Sequence, residues 1–261
     1  MPKGNKPWSR NPKAIVTGGS GFIGRHLCEY LIEEGLEVVN YDITRVREME
    51  SNKKYLHRLE DVSKDTLKIR SRDSNNAQYF FHLAGIAHII PSVENPAIYH
   101  KANVTGTFNA LQIARQLPHL RKFVYAASSS CYGIQKEYPT PETGTIKCEY
   151  PYALTKYMGE QYVLHWGVVY KLPVVSLRLF NVYGPRVRST EYGAVFATFM
   201  AQRYHGLPLT VVDPGTQRRD FTHVRDIASA FHLAAVSVVR GEVFNIGTGN
   251  PQEIRRLAEL I

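Results

Sequence analysis

No apolar run in this chain is long enough to cross a bilayer. The first residues, Met1 to Pro12, are basic and carry proline, without the apolar stretch of a secretory signal. Cysteine is scarce. Cys28, Cys131 and Cys148 make no C-x-x-C pair and no metal-ligand spacing, so no metal is expected. An odd, sparse set of thiols fits a reduced, cytoplasmic protein. There is no basic run interleaved with aromatics and no recognisable nucleic-acid module, so neither a nucleic-acid nor a membrane partner is expected. Internal repeats and low-complexity segments are missing as well.

What remains is a chain of 261 residues, enough for one large α/β domain or one domain with a smaller lobe. Lys and Arg number 32 against 23 Asp and Glu, a formal net charge of +9. Lys3, Lys6, Arg10 and Lys13 supply part of it at the start of the chain, where residues 1–12 read as a flexible basic tail. The rest is either a solvated basic surface or an attraction for anionic ligands.

Apolar runs of strand length alternate with helical periodicity. Ala14–Val16, Leu36–Tyr41, Leu56–Val62, Gln78–Gly85, Phe123–Ala127 and Val174–Phe180 read as strands, with Leu209–Val212 and Val243–Ile246 later. Helical patterns cover Ile23–Ile32, Pro96–Leu117, Tyr152–Tyr170, Ala194–Tyr204, Asp226–Val239 and Ile254–Ile261. Such alternation predicts an α/β fold, a doubly wound parallel sheet covered on both faces.

The first strand runs into Thr17-Gly18-Gly19-Ser20-Gly21-Phe22-Ile23-Gly24, and a helix follows. Glycines at a strand-to-helix turn let the backbone approach a pyrophosphate, which the N–H groups of the helix start favour. The same sequence also suits a glycine turn that holds nothing. Asp42 ends the second strand, at the distance where an acidic residue takes the hydroxyls of an adenosine ribose. A carboxylate there repels a 2′-phosphate, which favours NAD over NADP, although Arg45 and Arg47 follow. Asp42 could equally be a strand-end turn residue. His82 reads as a packed strand histidine, and a helical Asn such as Asn103 ordinarily faces solvent or a backbone group.

Tyr152 and Lys156 stand four residues apart on one helix face. A nearby ammonium favours the phenolate and makes tyrosine usable as a general base. A helix-surface Tyr/Lys pair has the same spacing. This pair, however, opens a helix downstream of the strand that runs into Ser128-Ser129-Ser130, where a parallel sheet forms its ligand crevice.

The set T-G-G-S-G-F-I-G, Asp42, Asp61-Val62, H-L-A-G, Asn103, A-S-S-S-C-Y-G, Y-A-L-T-K, R-L-F-N-V-Y-G-P-R and R-R-D-F-T-H-V-R-D resembles the extended short-chain dehydrogenase/reductase family, from Lys13 onward and in family order. More narrowly, it is similar to the NAD-dependent nucleotide-sugar epimerases and dehydratases. The resemblance implies a Rossmann-type fold over 13–180, with 220–248 returning to it. It also implies a smaller substrate lobe from 181–219 and 249–261, expected to be truncated because family members continue further. NAD is the implied cofactor. Gly18, Gly21, Phe22, Ile23 and Gly24 would meet its pyrophosphate, Asp42 the ribose, Asp61 and Val62 the adenine. Leu83, Ala84 and Asn103 would line it, and Lys156 would hold the nicotinamide ribose and lower the Tyr152 pKa. Ser128, Tyr152 and Lys156 would be catalytic. Ser129, Asn181, Val212 and Arg219 would face the nucleotide sugar.

Related 4,6-dehydratases carry an Asp-Glu pair after the first serine, and related decarboxylases a Glu. Ser129 and Ser130 stand there instead, and neither protonates a leaving hydroxyl well. The resemblance therefore implies 4-epimerisation of a UDP-sugar by a homodimer. A dehydratase or reductase, and a non-catalytic NAD-binding protein on the same fold, are the other readings. Val212-Asp213-Pro214-Gly215 departs from the more usual G-D-G turn, and Cys131 takes a place often held by Val.

Overall fold

A computed structural model describes residues 12–64, 68–135, 137–187 and 194–261. The expected tail, apart from Pro12, lies outside the described residues. Seven strands form one parallel sheet: β1 Lys13–Thr17, β2 Glu37–Asp42, β3 Tyr55–Leu59, β4 Ala77–His82, β5 Lys122–Ser128, β6 Val174–Leu179 and β10 Glu242–Ile246. Three short strands precede the last: β7 Asn181–Tyr183, β8 Arg218–Arg219 and β9 Phe221–His223. β7 pairs with β9, and β8 with β11 Gln252–Glu253. The helices are α1 Phe22–Glu33, α2 Ser71–Ser74, α3 Ile90–Glu94, α4 Pro96–Tyr99, α5 Gly106–Ala114, α6 Pro151–Val169, α7 Val195–Tyr204, α8 Val224–Val236 and α9 Ile254–Leu260.

The sheet order is β10-β6-β5-β4-β1-β2-β3, so the winding reverses between β1 and β4. Alternation along β1 shows why both faces need cover. Ala14 and Val16 pack with Leu27 and Leu31 of α1 and with Ile227 and Phe231 of α8. Ile15 points the other way, into Ala110 and Leu111 of α5 and Val163 and Trp166 of α6. With helices on both sides, no position of the strand can be polar without a partner, which explains its unbroken apolar reading.

Three local expectations change. Leu209–Val212 is not a strand: it has no ladder partner, and Val212 is 73% exposed. A short apolar run makes a strand only where a sheet edge receives it. The third strand stops at Leu59, because its neighbour β2 ends at Asp42, directly opposite. Asp61 and Val62 thus lie beyond the sheet. The helical stretch from Pro96 is interrupted by a π-helical turn over His100–Thr105 before α5 begins. Such a turn accommodates an extra residue, and here it carries Asn103.

Tyr41 on β2, Arg58 on β3 and Asp73 on α2 knit one edge together. Arg58 Nε and Nη2 donate to Asp73 at 2.8 and 2.9 Å, and the Tyr41 hydroxyl donates to it at 2.9 Å. Burial works to raise the Asp73 carboxyl, but the hydrogen bonds from Arg58 and Tyr41 outweigh it and hold the group below its usual range. A depressed carboxyl stabilises the fold above its unfolded value, near ~3.9, and that stability is lost as pH falls through the folded value. Asp73→Asn should therefore be less stable at neutral pH and show a flatter loss of stability on acidification, read by urea denaturation between about pH 5 and pH 2.

Candidate active site

Register brings the carboxyl ends of the central strands to one edge. Thr17 lies opposite Tyr41 and His82, His82 opposite Tyr125, and Ser128 opposite Leu179. The loops that leave these ends line a crevice at the reversal between β1 and β4, the place where an open α/β sheet takes ligands.

The glycine turn occupies the start of that crevice. Gly18 has φ +76°, and a Cβ on it would lie 2.5 Å from the Ala84 nitrogen. A Cβ on Gly24 would lie 2.1 Å from the Gly18 carbonyl oxygen. These glycines let the turn fold tightly onto the end of β4 and onto the start of α1. Gly21 is the N-cap of α1; no side chain caps the helix and its first turn holds no acidic residue. The leading N–H groups, including those of Phe22, Ile23 and Gly24, therefore present an uncancelled positive end that suits a pyrophosphate. Gly24→Ala should weaken NAD binding at least about tenfold, because an N-terminal turn pushed out of line loses charge-assisted hydrogen bonds to phosphate. Titration of NAD by tryptophan fluorescence would show this.

The Asp42 carboxylate braces the same turn, accepting from the Ser20 and Thr44 N–H groups at 2.9 Å each. Two residues earlier, Asn40 is fully buried. Its side-chain oxygen accepts from the Gly19 N–H at 2.8 Å, and its amide donates to Ser20 Oγ at 3.0 Å and Tyr55 OH at 2.8 Å. Asn40 was not legible as a site residue. Its one signal is an amide at a buried position of an apolar strand, where an unpaired polar group is costly.

Asp61 accepts from the Ser63 N–H at 2.9 Å and the Ser63 hydroxyl at 2.7 Å. Val62 is buried against Gly106 at the start of α5. Leu83 donates its N–H to the Thr17 carbonyl at 3.0 Å, which holds it and Ala84 beside the glycine turn. Asn103 does not face solvent. It is buried, accepts from the Ile86 N–H at 2.8 Å, and donates to the Ile86 carbonyl and to Thr155 Oγ1, both at 3.0 Å. It thereby ties the loop after β4 to α6. His82 is the packed histidine expected, bridging Thr17 Oγ1 at 2.6 Å and Thr107 Oγ1 at 3.0 Å. Burial, aided by the Lys156 charge, pushes it down to about 3, so it is neutral.

Ser128 ends β5, while Tyr152 and Lys156 lie one turn apart on α6. The Ser128 side chain acts on the Tyr152 phenol and favours its ionised form. Ser130 holds Ser128 in turn: the two hydroxyls are 2.8 Å apart, and the Ser130 N–H donates to Ser128 Oγ at 3.2 Å. Lys156 is buried, with Nζ 4.4 Å from the centre of the Tyr125 ring. A Cβ on Gly85 would lie 3.9 Å from that Nζ, so the loop after β4 reaches the lysine. Burial raises the Tyr152 phenol, against the effect of the Ser128 side chain, and pushes the Lys156 ammonium down to about 7, against the attraction of Glu160. Desolvation thus drives both groups toward their neutral forms in this structure.

The four residues expected at the sugar side are more dispersed. Ser129 opens the 3-10 turn Ser129–Tyr132, next to Ser128. Asn181 opens β7 and donates its amide to the Asp220 carbonyl at 3.2 Å. Arg219 is exposed on β8, with Nη1 donating to the Arg218 carbonyl. Val212 lies exposed on the connection between α7 and β8.

A doubly wound sheet with an open glycine-rich helix start and a carboxylate bracing that turn is the architecture of dinucleotide-binding α/β proteins. The profile of the NAD dependent epimerase/dehydratase family matches residues 14–247, and the chain belongs to that family. It is 33% identical over 251 residues to a putative UDP-glucose 4-epimerase of Methanocaldococcus jannaschii, covering 95% of this chain and 80% of that one. It is 30% identical over 259 residues to a UDP-N-acetyl-alpha-D-glucosaminuronate decarboxylase of Bacillus cytotoxicus, covering 95% and 78%. Among solved structures it resembles the UDP-glucuronic acid 4-epimerase of Bacillus cereus in complex with UDP-glucuronic acid and NAD, with TM-score 0.84, 30% identity, and coverage of 93% and 80%.

Proposed function

We propose that this protein is an isomerase that epimerises a UDP-sugar at carbon 4. The observation that carries the reading is the placement of Ser128 at the end of β5 and of Tyr152 and Lys156 on one face of α6, at the carboxyl edge of a sheet that opens with a glycine-rich strand-to-helix turn. NAD bound there supplies a hydride acceptor and donor for that carbon. Gly18, Gly21, Phe22, Ile23 and Gly24 hold its pyrophosphate, Asp42 its ribose, Asp61 and Val62 its adenine, and Leu83, Ala84 and Asn103 line its length. Lys156 donates to the nicotinamide ribose. Ser128 orients the sugar 4-hydroxyl, and Tyr152 takes its proton. After the 4-keto sugar turns over and presents its other face for reduction, Tyr152 returns the proton to the 4-oxygen. Proton transfers therefore use one residue in both directions, and no net oxidant is consumed.

Similarity to a decarboxylase keeps a second reaction in view, but Ser129 and Ser130 favour epimerisation. Ser130 is engaged with Ser128, and neither serine is a carboxylic acid. Ser129, Asn181, Val212 and Arg219 face the nucleotide sugar in this reading, with Arg219 suited to a phosphate by its planar fork. A homodimer paired through the helices around α4, α5 and α6 is part of the same reading, since Ile98, Phe108 and Leu154 are exposed on them. The free thiols fit a reducing cytoplasm. Incubation with a panel of UDP-sugars, followed by NMR of the anomeric protons, tests the reaction. Interconversion of a 4-epimer pair without net NADH supports it, and a 4-keto-6-deoxy or pentose product rules it out.

A further inference from the structure

Helix α6 continues the face that bears Tyr152 and Lys156 by one more turn, to Glu160. Glu160 is 1% exposed, and both of its carboxylate oxygens are engaged. Arg178 on β6 donates to it twice, Nη2 to Oε1 at 2.6 Å and Nε to Oε2 at 3.0 Å, and Ser176 Oγ adds a bond to Oε2 at 3.1 Å. Arg178 is anchored on its other side. Its Nη1 donates to the Tyr132 hydroxyl at 2.6 Å and to the Glu142 carbonyl at 3.1 Å. The Tyr132 hydroxyl in turn donates to Asn245 on β10 at 2.8 Å. The carboxylate is held by three hydrogen bonds from two residues of β6 and is fixed beside the helix.

A buried ion pair is weak evidence for stability, since apolar residues of similar volume commonly do as well. The placement of this pair, directly behind the site lysine, calls for another account. We propose that Glu160 is a positioning residue for Lys156: clamped by Arg178 and Ser176, it fixes a negative charge one helical turn beyond the lysine and keeps the ammonium protonated on the buried floor of the crevice. The inference rests on the cofactor-binding role given to Lys156 above.

The surroundings of Lys156 support the need. β5 presents the face of Tyr125, β4 the neutral His82, the loop after β4 Gly85, the π-helical turn Asn103, and α6 itself Tyr152. None of these is anionic at neutral pH, and Arg178 on β6 is a further cation behind the carboxylate. Glu160 opposes the desolvation that drives the lysine down. A mobile or distant carboxylate would do this less well, because attraction falls with distance and with solvent screening.

The pH dependence of NAD affinity tests the proposal, since it does not require the sugar to be known. Affinity should fall on the alkaline side as Lys156 loses its proton. Glu160→Gln combined with Arg178→Met removes both charges and strands neither, so it should fold. In this double variant, and in Glu160→Gln if it folds, the alkaline limb should move down by about one pH unit, the smaller end of what a neighbouring charge does. Tyr132→Phe loosens Arg178 but leaves the carboxylate charge, and should lower the melting temperature without moving the limb. A folded double variant with an unmoved limb overturns the proposal, as does a Tyr132→Phe limb that moves equally far. If Lys156→Met binds NAD with an unchanged pH profile, the role of Lys156 itself fails and the proposal falls with it. A normal Lys156 effect with no Glu160 effect removes the proposal alone.

Discussion

Tyr152→Phe should lower turnover of the UDP-sugar by about 10²–10⁴-fold, the range that a positioned general acid–base group contributes, while NAD still binds. The phenol sits at the start of α6, where its own N–H donates to Ser92 Oγ at 3.1 Å and its ring packs edge-on to Tyr99 at 6.5 Å between centroids. Phenylalanine preserves those contacts and deletes only the hydroxyl, on which Ser128 acts. A rate loss with unchanged melting temperature and unchanged NAD affinity would place the defect in the proton transfer. Turnover within threefold of the wild type, roughly 0.7 kcal/mol of barrier, would sink the assignment of Tyr152 as the base.

Arg178→Ala should destabilise the fold by about 3–5 kcal/mol, the usual result of stranding one partner of a buried ion pair. Arg178 and Glu160 side chains are 5% and 1% exposed, so water cannot take over the carboxylate. Truncation also leaves the Tyr132 hydroxyl and the Glu142 carbonyl without their guanidinium donor. Those groups join the turn after β5, the stretch around Glu142 and strand β10, so the loss should be cooperative rather than local. Urea denaturation reads it, with the double variant Glu160→Gln, Arg178→Met as the comparison. That pair removes both charges together and should lie much closer to the wild type. Equal losses in the two proteins would mean that packing of the arginine stem, not the charge, holds these elements together.

The elements whose burial is simplest were the easiest to read. β1, β2, β5 and β6 are covered on both sides, so their apolar runs had one interpretation, and the alternation with helices implied the parallel sheet. The glycine turn and the Tyr152/Lys156 pair were legible for a similar reason. Backbone approach admits only glycine at Gly24, and a four-residue spacing fixes a shared helix face wherever the helix goes. Failures came where a neighbour decided the outcome. Leu209–Val212 has strand composition but no edge to join, and the third strand ends where β2 ends. For Asn103 both solvent and a backbone group were open, and the π-helical turn directs its amide to the Ile86 backbone and to Thr155.

The sequence by itself determined the sheet class, the glycine turn and the shared helix face of Tyr152 and Lys156, because each depends on local spacing and on the conformational limits of single residues. Only the tertiary structure decided what surrounds them. Asn40 under the glycine turn, Ser130 behind Ser128, and Glu160 with Arg178 behind Lys156 come together across strands and helices far apart in the chain. So does the charge state of the site. Tyr152 and Lys156 are pushed toward neutrality by burial, a property of the packed environment that no residue spacing encodes.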